Sequence, residues 1–396
     1  MVKELRALTR QGLPAFDVAL VAYSAPAFAA AQWLRRREGV DWPELNGALK
    51  QQAERLAASA LGNELVLFLG AGVSMAARAP SWRQLLLKLA LETGLADAEL
   101  EDFRALNDLD AATLLERRTV PEPERSARQT LGARIKRHVD LQRPSLLHTM
   151  LAALPVRQAV TTNYDRLFEL ACAGLRERIS ILPYAPDAEA TRWVLKLHGC
   201  VSRIEDIVLT REDYLRYEQE RAALAGIVQA LLITHQLLFV GFSLTDDNFH
   251  RIADAVRRAL LPYRKQAKPA WKLGTALTLE RRPLHEALWG EELNWVSMQQ
   301  TDERGPSDHS EAREGKQQLA RKHEIFIDYV LSQATAASSH LLRPGFEGML
   351  DRNQSLLRDR LLELARIRPK ASDPAWDKVQ QLLEQLGLGE SKEPGA

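Results

Sequence analysis

Leu65-Val66-Leu67-Phe68-Leu69-Gly70-Ala71-Gly72-Val73-Ser74 is the stretch on which the fold turns. An apolar run with no polar break makes a strand buried on both faces, as in a parallel sheet, and the Gly-Ala-Gly turn leads it into a helix. In a doubly wound fold, the turn after the first strand approaches the phosphates of a dinucleotide. Glycines remove the Cβ atoms that block that approach, and backbone amides donate to oxygen. The turn alone names no ligand. The third glycine of the dinucleotide fingerprint and the Gly-Lys-Ser/Thr of a phosphate loop are both missing.

Further short apolar runs follow at Gln158–Thr162, Ile179–Leu182, Trp193–Leu197, Leu237–Phe242, Leu273–Leu279 and Leu293–Met298. Helical stretches such as Trp82–Glu92, Asp165–Leu175, Glu218–His235 and Asp247–Leu261 alternate with them. The expected class is therefore α/β: a Rossmann-like, doubly wound parallel sheet with helical N- and C-terminal extensions. Residues 1–60 form the N-terminal helical segment, in which 42–61 brings Leu45, Leu49, Leu56 and Ala60 near one face, with Asp41 as the expected N-cap and Pro43 in the first turn. Residues 61–300 form the nucleotide-binding domain. Residues 301–396 hold a linker and a helical C-terminal segment: a polar stretch over Gln299–Gly315, helices over Lys316–Gln333 and Leu350–Leu386, and a frayed tail from Gly387.

Composition narrows the classes. Lys plus Arg number 53 against 52 Asp plus Glu, a net charge of +1 that gives no global reason for a polyanionic partner. The short basic clusters Arg35–Arg37 and Arg134–Arg137 fit solvated helix faces, so direct nucleic-acid binding is not expected. Hydrophobic residues at 46% and charged residues at 27% describe a folding chain. Two cysteines, Cys172 and Cys200, suit a reducing cytoplasm and are too few for a disulfide framework or a four-thiolate zinc site. The apolar stretch Val18–Trp33, interrupted by Pro26, is shorter than the ~20 residues a membrane span needs. Glu4 interrupts the basic start, so no secretory leader is expected and the chain is placed in the cytoplasm.

Three more strand ends carry chemistry. After the second strand come Thr161-Thr162-Asn163-Tyr164-Asp165, polar residues at the edge where α/β folds bind ligands, although Asn163 or Asp165 also suits a helix cap. Next, Val194-Leu195-Lys196-Leu197 ends in His198-Gly199, and an imidazole at a strand's carboxyl end is a good general-base candidate. No other histidine has that setting, and His148 and His235 fit packing or helix-end roles. Finally, Gly241-Phe242-Ser243-Leu244-Thr245-Asp246-Asp247-Asn248 offers a small residue and a hydroxyl for a ribose or phosphate, with Asp246 or Asp247 as an alternative cap.

In order and spacing, Gly70-Ala71-Gly72-Val73-Ser74, Thr162-Asn163-Tyr164-Asp165, Leu197-His198-Gly199 and Gly241-Phe242-Ser243-Leu244 together resemble the sirtuin fold. Specifically, they resemble the sirtuin-like NAD hydrolases of bacterial antiphage defence, over about Leu61 to Met298. Pro144, His148, Leu151 and Leu154 resemble the helix before the Asn-containing strand of sirtuins. Two departures mark the branch. Sirtuin deacylases carry a four-cysteine zinc module that Cys172 and Cys200 cannot build, so deacylation is disfavoured and no zinc is expected. Ala79-Pro80-Ser81-Trp82 replaces the deacylase Ile-Pro-Asp-Phe-Arg segment, with Ser81 as an N-cap and Gln84 completing a capping box.

The resemblance implies NAD as substrate and the following roles. Gly70, Ala71, Gly72 and Ser74 surround its pyrophosphate, and Gly241 and Ser243 line the adenosine ribose side. Asp165 faces the nicotinamide carboxamide, Asn163 positions a ribose hydroxyl or water, and His198 is the base. It also implies a host-toxic activity held in check within an assembly, either a homo-oligomer or a complex with a HerA-like ATPase, in preference to a short Argonaute. The flanking helices are the surfaces for such assembly, or they pack back on their own subunit. Two other functions stay open at this stage: a module that senses NAD or ADP-ribose without cleavage, and a structural subunit that scaffolds a defence assembly.

Overall fold

The computed structural model describes residues 18–22, 24–37, 42–260, 262–263, 272–299, 309–335, 338–367 and 374–389. The chain divides into two compact units, Glu44–Ala334 and a smaller one formed by Met1–Pro43 with Thr335–Ala396. The helices Gly47–Leu61 and His309–Ala334 therefore fold with the sheet.

The larger unit is built on a seven-stranded sheet in the order β3-β4-β2-β1-β5-β6-β7, every pair parallel. The strands are β1 Leu65–Leu69, β2 Gln158–Thr161, β3 Ile179–Leu182, β4 Arg192–Lys196, β5 Gln236–Val240, β6 Gly274–Thr278 and β7 Leu293–Ser297. All the apolar runs expected as strands are strands, each within two residues of its expected ends. A continuous apolar run is what burial of both faces requires, and β1 is buried at every position. Val66 and Phe68 enter one core with Phe239, Phe249, Val228 and Leu232, under the helices Ala222–Thr234 and Asp247–Leu260. Strand alternation sends Leu65, Leu67 and Leu69 to the opposite face. There Gly47–Leu61 packs on β1 and His309–Ala334 packs on Gly47–Leu61 and Leu146–Ala153. The chain runs from β1 to β2, β3 and β4 on one side and then crosses to β5, which makes β1/β5 the point where the winding reverses, the usual ligand crevice of such sheets.

Between β1 and β2 lies a helical insert, Trp82–Glu92, Asp97–Ala105, Asp108–Arg118 and Ala127–Val139. Its apolar faces share a core with Tyr164, Cys200, Val201, Ile207 and Leu209. The insert thus covers the loops that leave β2 and β4. Its first helix opens with the expected capping box: Ser81 accepts from the Gln84 amide, and the Gln84 side chain accepts from the Ser81 amide at 2.9 Å.

Several helix limits differ from the periodicity. The helix expected from Trp42 starts at Gly47, where Asn46 Oδ1 accepts the Leu49 amide at 2.9 Å, while Asp41 lies outside the described residues. Helix 218–235 is two helices, Arg211–Glu220 and Ala222–Thr234, which meet at the non-helical backbone of Arg221. The last long helix of this unit begins at His309, inside the stretch expected to be a linker, of which 300–308 lie outside the described residues.

In the smaller unit, Leu341, Leu342 and Leu383 form the apolar centre, flanked by the helices Arg352–Ala365 and Pro374–Gln385. Trp33, on Ala25–Arg37, lies 6.0 Å from the His340 ring, and the Arg37 guanidinium sits 4.3 Å over Trp33. Residues 390–396 of the expected frayed tail lie outside the described residues.

Two buried histidines make stability depend on pH. Burial pushes His148 and His323 from the ordinary 6.5 down to about 4. The folded protein keeps both neutral, whereas the unfolded chain takes up protons below pH 6.5. Their contribution is therefore intact above pH 6.5 and is lost as the pH falls toward 4, by roughly 2 kcal/mol per histidine at pH 5. Urea unfolding at pH 7 and pH 5 should show this loss, reduced in His323→Gln. Equal stability at both pH values would refute it.

Candidate active site

The turns after β1 and β5 meet backbone to backbone. The Gly72 amide donates to Gly241 O at 2.8 Å and the Gly70 amide to Val240 O at 3.0 Å. A Cβ on Gly70 would come within 2.5 Å of Gly241 O, and one on Gly241, whose φ is +62°, within 2.4 Å of the Val73 nitrogen. What these glycines make room for is first of all each other's loop. Beneath them, Phe68 lies 4.6 Å from Phe242 and 5.2 Å from Phe249, aromatic pairs worth about 0.5–1.5 kcal/mol each beyond their burial, which clamp the two turns. Ala71, Ser243 and Thr245 remain exposed, and the Ser243 and Thr245 hydroxyls pair at 2.7 Å.

One strand over, Asn163 is locked into this turn. Its Nδ2 donates to Gly70 O at 2.9 Å and to Ser74 Oγ at 3.0 Å. A carbonyl can only accept, so the amide orientation is fixed and Oδ1 is left as the free acceptor. Ser74 Oγ in turn donates to Asp165 Oδ2 at 2.6 Å, and Asp165 Oδ1 accepts the Leu167 amide at 3.0 Å. Asp165, one residue before the N-cap Arg166, takes the first amide of the helix Leu167–Gly174 and anchors a directed chain from Asn163 through Ser74. Its carbonyl accepts from Lys196 Nζ, and Lys196 lies 3.1 Å from Glu169. Ser74 and Asp165 are both buried. Ser74→Ala should leave the Asp165 carboxylate short of a donor and cost about 1–3 kcal/mol. Urea unfolding that detects no loss would mean that the carboxylate finds another donor.

His198 follows β4 at the same step as Asn163 follows β2. Thr161 and Lys196 are paired across the two strands, and each of these two residues stands two positions beyond its member of that pair. The His198 ring is buried, edge-on to Tyr214 at 5.6 Å and to Tyr217 at 5.8 Å. Burial pushes its pKa below the ordinary histidine value, against the opposing pull of Asp246, so the imidazole is neutral at pH 7. Gly199, at φ +101°, lets the 206–208 segment approach, and Val208 donates to His198 O at 2.9 Å.

The strand ends thus bring all the expected residues to one edge of the sheet, in two networks. Gly70, Gly72, Ser74, Asn163 and Asp165 share one. His198 belongs to the other, with Tyr214, Tyr217 and Asp246, and no hydrogen bond joins it to Asn163. Two cavities lie beside the sheet and include neither residue: one of about 500 Å³ between Arg125, Lys136 and Ser202, and one of about 420 Å³ at the amino ends of the strands near Asn63, Arg157 and Arg192. The sequence reading missed Tyr214 and gave Asp246 only a capping role, which it does fill for the Phe249 amide at 2.8 Å. It also passed over Asn248, which is buried with both polar side-chain atoms unpartnered. His148 closes the capping box of its own helix, and His235 caps another helix at its C-terminus. Among the described residues no group of His, Cys, Asp and Glu has the arrangement of a metal site, and no helix is long and apolar enough to cross a membrane.

Residues 157–295 match the family model of the SIR2-like domain, a span that contains Asn163, Asp165, His198, Gly241 and Ser243 but not the Gly70–Ser74 turn. The NAD(+) hydrolase ThsA of Bacillus cereus (strain MSX-D12) is 33% identical over 199 residues, 49% of this chain and 40% of that protein. ThsA of Enterococcus faecium is 30% identical over 200 residues, 49% of this chain and 40% of that one. Defense-associated sirtuin 2 of Bacillus subtilis is 26% identical over 209 residues, covering 50% and 20%. The chain covers 40% or less of the length of these relatives.

Proposed function

We propose that this chain hydrolyses NAD+ to nicotinamide and ADP-ribose, as an effector of bacterial antiphage defence. The observation that carries the reading is the placement of Asn163 and His198 at one step beyond paired residues of adjacent parallel strands, next to the crevice where the winding reverses. The relatives named NAD(+) hydrolase support the choice of substrate.

The chemistry asks little of an acid. Nicotinamide leaves with the electrons of the C–N bond and becomes neutral, while positive charge develops on the ribose. The oxygen of water then bonds to the anomeric carbon and its proton goes to a base. His198, neutral at pH 7, accepts that proton from water or through a ribose hydroxyl. Asn163, pinned by Gly70 O and Ser74, presents Oδ1 to orient the hydroxyl or water without reorganising. Two acceptor positions of the Asp165 carboxylate are taken by Ser74 and Leu167, and the others suit the nicotinamide carboxamide. In this reading the Gly70–Ser74 turn faces the pyrophosphate, Ala71 being its exposed residue, and Gly241 and Ser243 face the adenosine ribose.

Restraint of such an activity calls for assembly, as a homo-oligomer or with a HerA-like ATPase. The test is incubation of the purified full chain with NAD+, with and without such an ATPase, and chromatography of the products. Release of nicotinamide and ADP-ribose in equal amounts supports the reading. NAD+ bound but recovered intact in both mixtures would make the chain a sensor.

A further inference from the structure

We infer that Asp246 is a positioning residue that keeps a proton on His198 Nε2, so that Nδ1 is the atom that takes the proton in the reaction. The inference rests on the proposed NAD+ hydrolysis for its kinetic consequence but not for its structural one.

Asp246 Oδ1 is 3.7 Å from His198 Nε2, and that nitrogen is fully buried without a hydrogen-bond partner. An imidazole nitrogen in that state is costly unless its proton faces an anion, and the Asp246 carboxylate is the anion beside it. Nδ1 has no hydrogen bond and is not among the buried unpartnered atoms, which leaves it as the nitrogen open to a reactant.

The carboxylate is itself held from two sides. Tyr214 donates to Oδ2 at 2.8 Å, and the Phe249 amide donates to Oδ1 at 2.8 Å. Its loop contains Leu244, a buried leucine at φ +60°, a left-handed conformation that persists only where the surroundings impose it. A carboxylate beside a catalytic imidazole is a general device for setting its tautomer, and here it acts across 3.7 Å by charge and not through a hydrogen bond.

The charges and titratable groups around the ring are few. Asp246 comes from the loop after β5, Tyr214 and Tyr217 from the helix Arg211–Glu220, and Arg221 follows that helix. Asp246 favours the protonated ring and Arg221 disfavours it.

Asp246→Asn keeps the shape and the helix cap, since Asn caps as well as Asp, and removes the charge. It should lower kcat by roughly 10²-fold or more, leave KM within about threefold, and move the acid limb of the pH–rate profile to lower pH. Tyr214→Phe, which spares the cap, should give a smaller fall in kcat. A purely structural role would leave the acid limb in place.

The tautomer is read separately by 15N NMR of histidine-labelled protein, with His198→Gln to assign the signal. A protonated Nε2 and bare Nδ1 in the wild type, lost in Asp246→Asn, are expected. A wild-type ring protonated on Nδ1, or an Asp246→Asn enzyme with unchanged kcat and acid limb, would overturn the inference. Protein that releases no nicotinamide yet shows the Nε2 proton would remove the proposed activity and leave the proton assignment in place.

Discussion

Lys196→Met is expected to lower the unfolding free energy by about 3–5 kcal/mol, as removal of one partner of a buried ion pair does. Lys196 is the last residue of β4 and fully buried, with its ammonium 3.1 Å from Glu169 and donating to the Asp165 carbonyl. Burial alone pushes its pKa down, but Glu169 and the neighbouring acidic groups outweigh it, so the net direction is up and the ammonium stays charged. The pair is at ion-pair distance without hydrogen-bond alignment, since Glu169 Oε1 has no hydrogen-bond partner. Without Lys196 that buried oxygen is left without its cation. Methionine fills much of the same volume, so the change is to the charge and its hydrogen bond and not to the packing. Lys196→Met combined with Glu169→Leu removes both charges and should recover much of the loss. Urea unfolding of the two variants decides the matter, and a single-variant loss under about 1 kcal/mol would show that Glu169 reaches solvent or a proton. Because Lys196 also holds the Asp165 carbonyl, the same variant should loosen the Asn163 loop.

The strands were legible because a parallel sheet buried on both faces leaves an unbroken apolar run, as in 65–69 and 237–240. Strand ends that carry Asn163 and His198 were legible because polar residues directly after such runs have few structural reasons to be there. Other features were not legible. A glycine shows that a Cβ is excluded but not by what. For Gly70 and Gly241 the excluder is the facing turn, supplied by a strand far away in sequence. The Ser74–Asp165 and Lys196–Glu169 pairs join separate elements, so neither sequence position betrays its partner. Tyr214 lies in Arg211–Glu220, a helix so polar that a solvated face is its natural reading, yet its hydroxyl reaches Asp246. Most of the helical insert between β1 and β2 was also passed over, because its helices are short and rich in charge and their apolar faces become clear only against Tyr164 and Cys200. Of the expected linker, 309–315 is helical for a related reason: the charged stretch from His309 opens an amphipathic helix whose apolar face appears only later, at Phe326 and Val330.

His198→Ala and Asn163→Ala are each expected to reduce NAD+ cleavage by roughly 10²–10⁴-fold, equivalent to about 3–5 kcal/mol of activation free energy. The two losses have different physical origins. His198 supplies a base that burial keeps neutral, so wild-type activity should be flat through pH 7 and fall only on the acid side, below the ordinary histidine range. Asn163 supplies orientation, and it does so as an amide. Its Nδ2 must donate to Gly70 O while Oδ1 stays free to accept. Asn163→Asp therefore fails too, because a carboxylate placed there cannot donate to the carbonyl and would sit beside the Ser74–Asp165 pair as a second negative charge. Residues that serve one reacting centre do not contribute additively, so the double Ala variant should be little worse than the poorer single one. Product chromatography gives the rates, and thermal melting establishes that each variant is folded. Wild-type release of nicotinamide by a folded double variant would place the reaction at some other edge of the molecule.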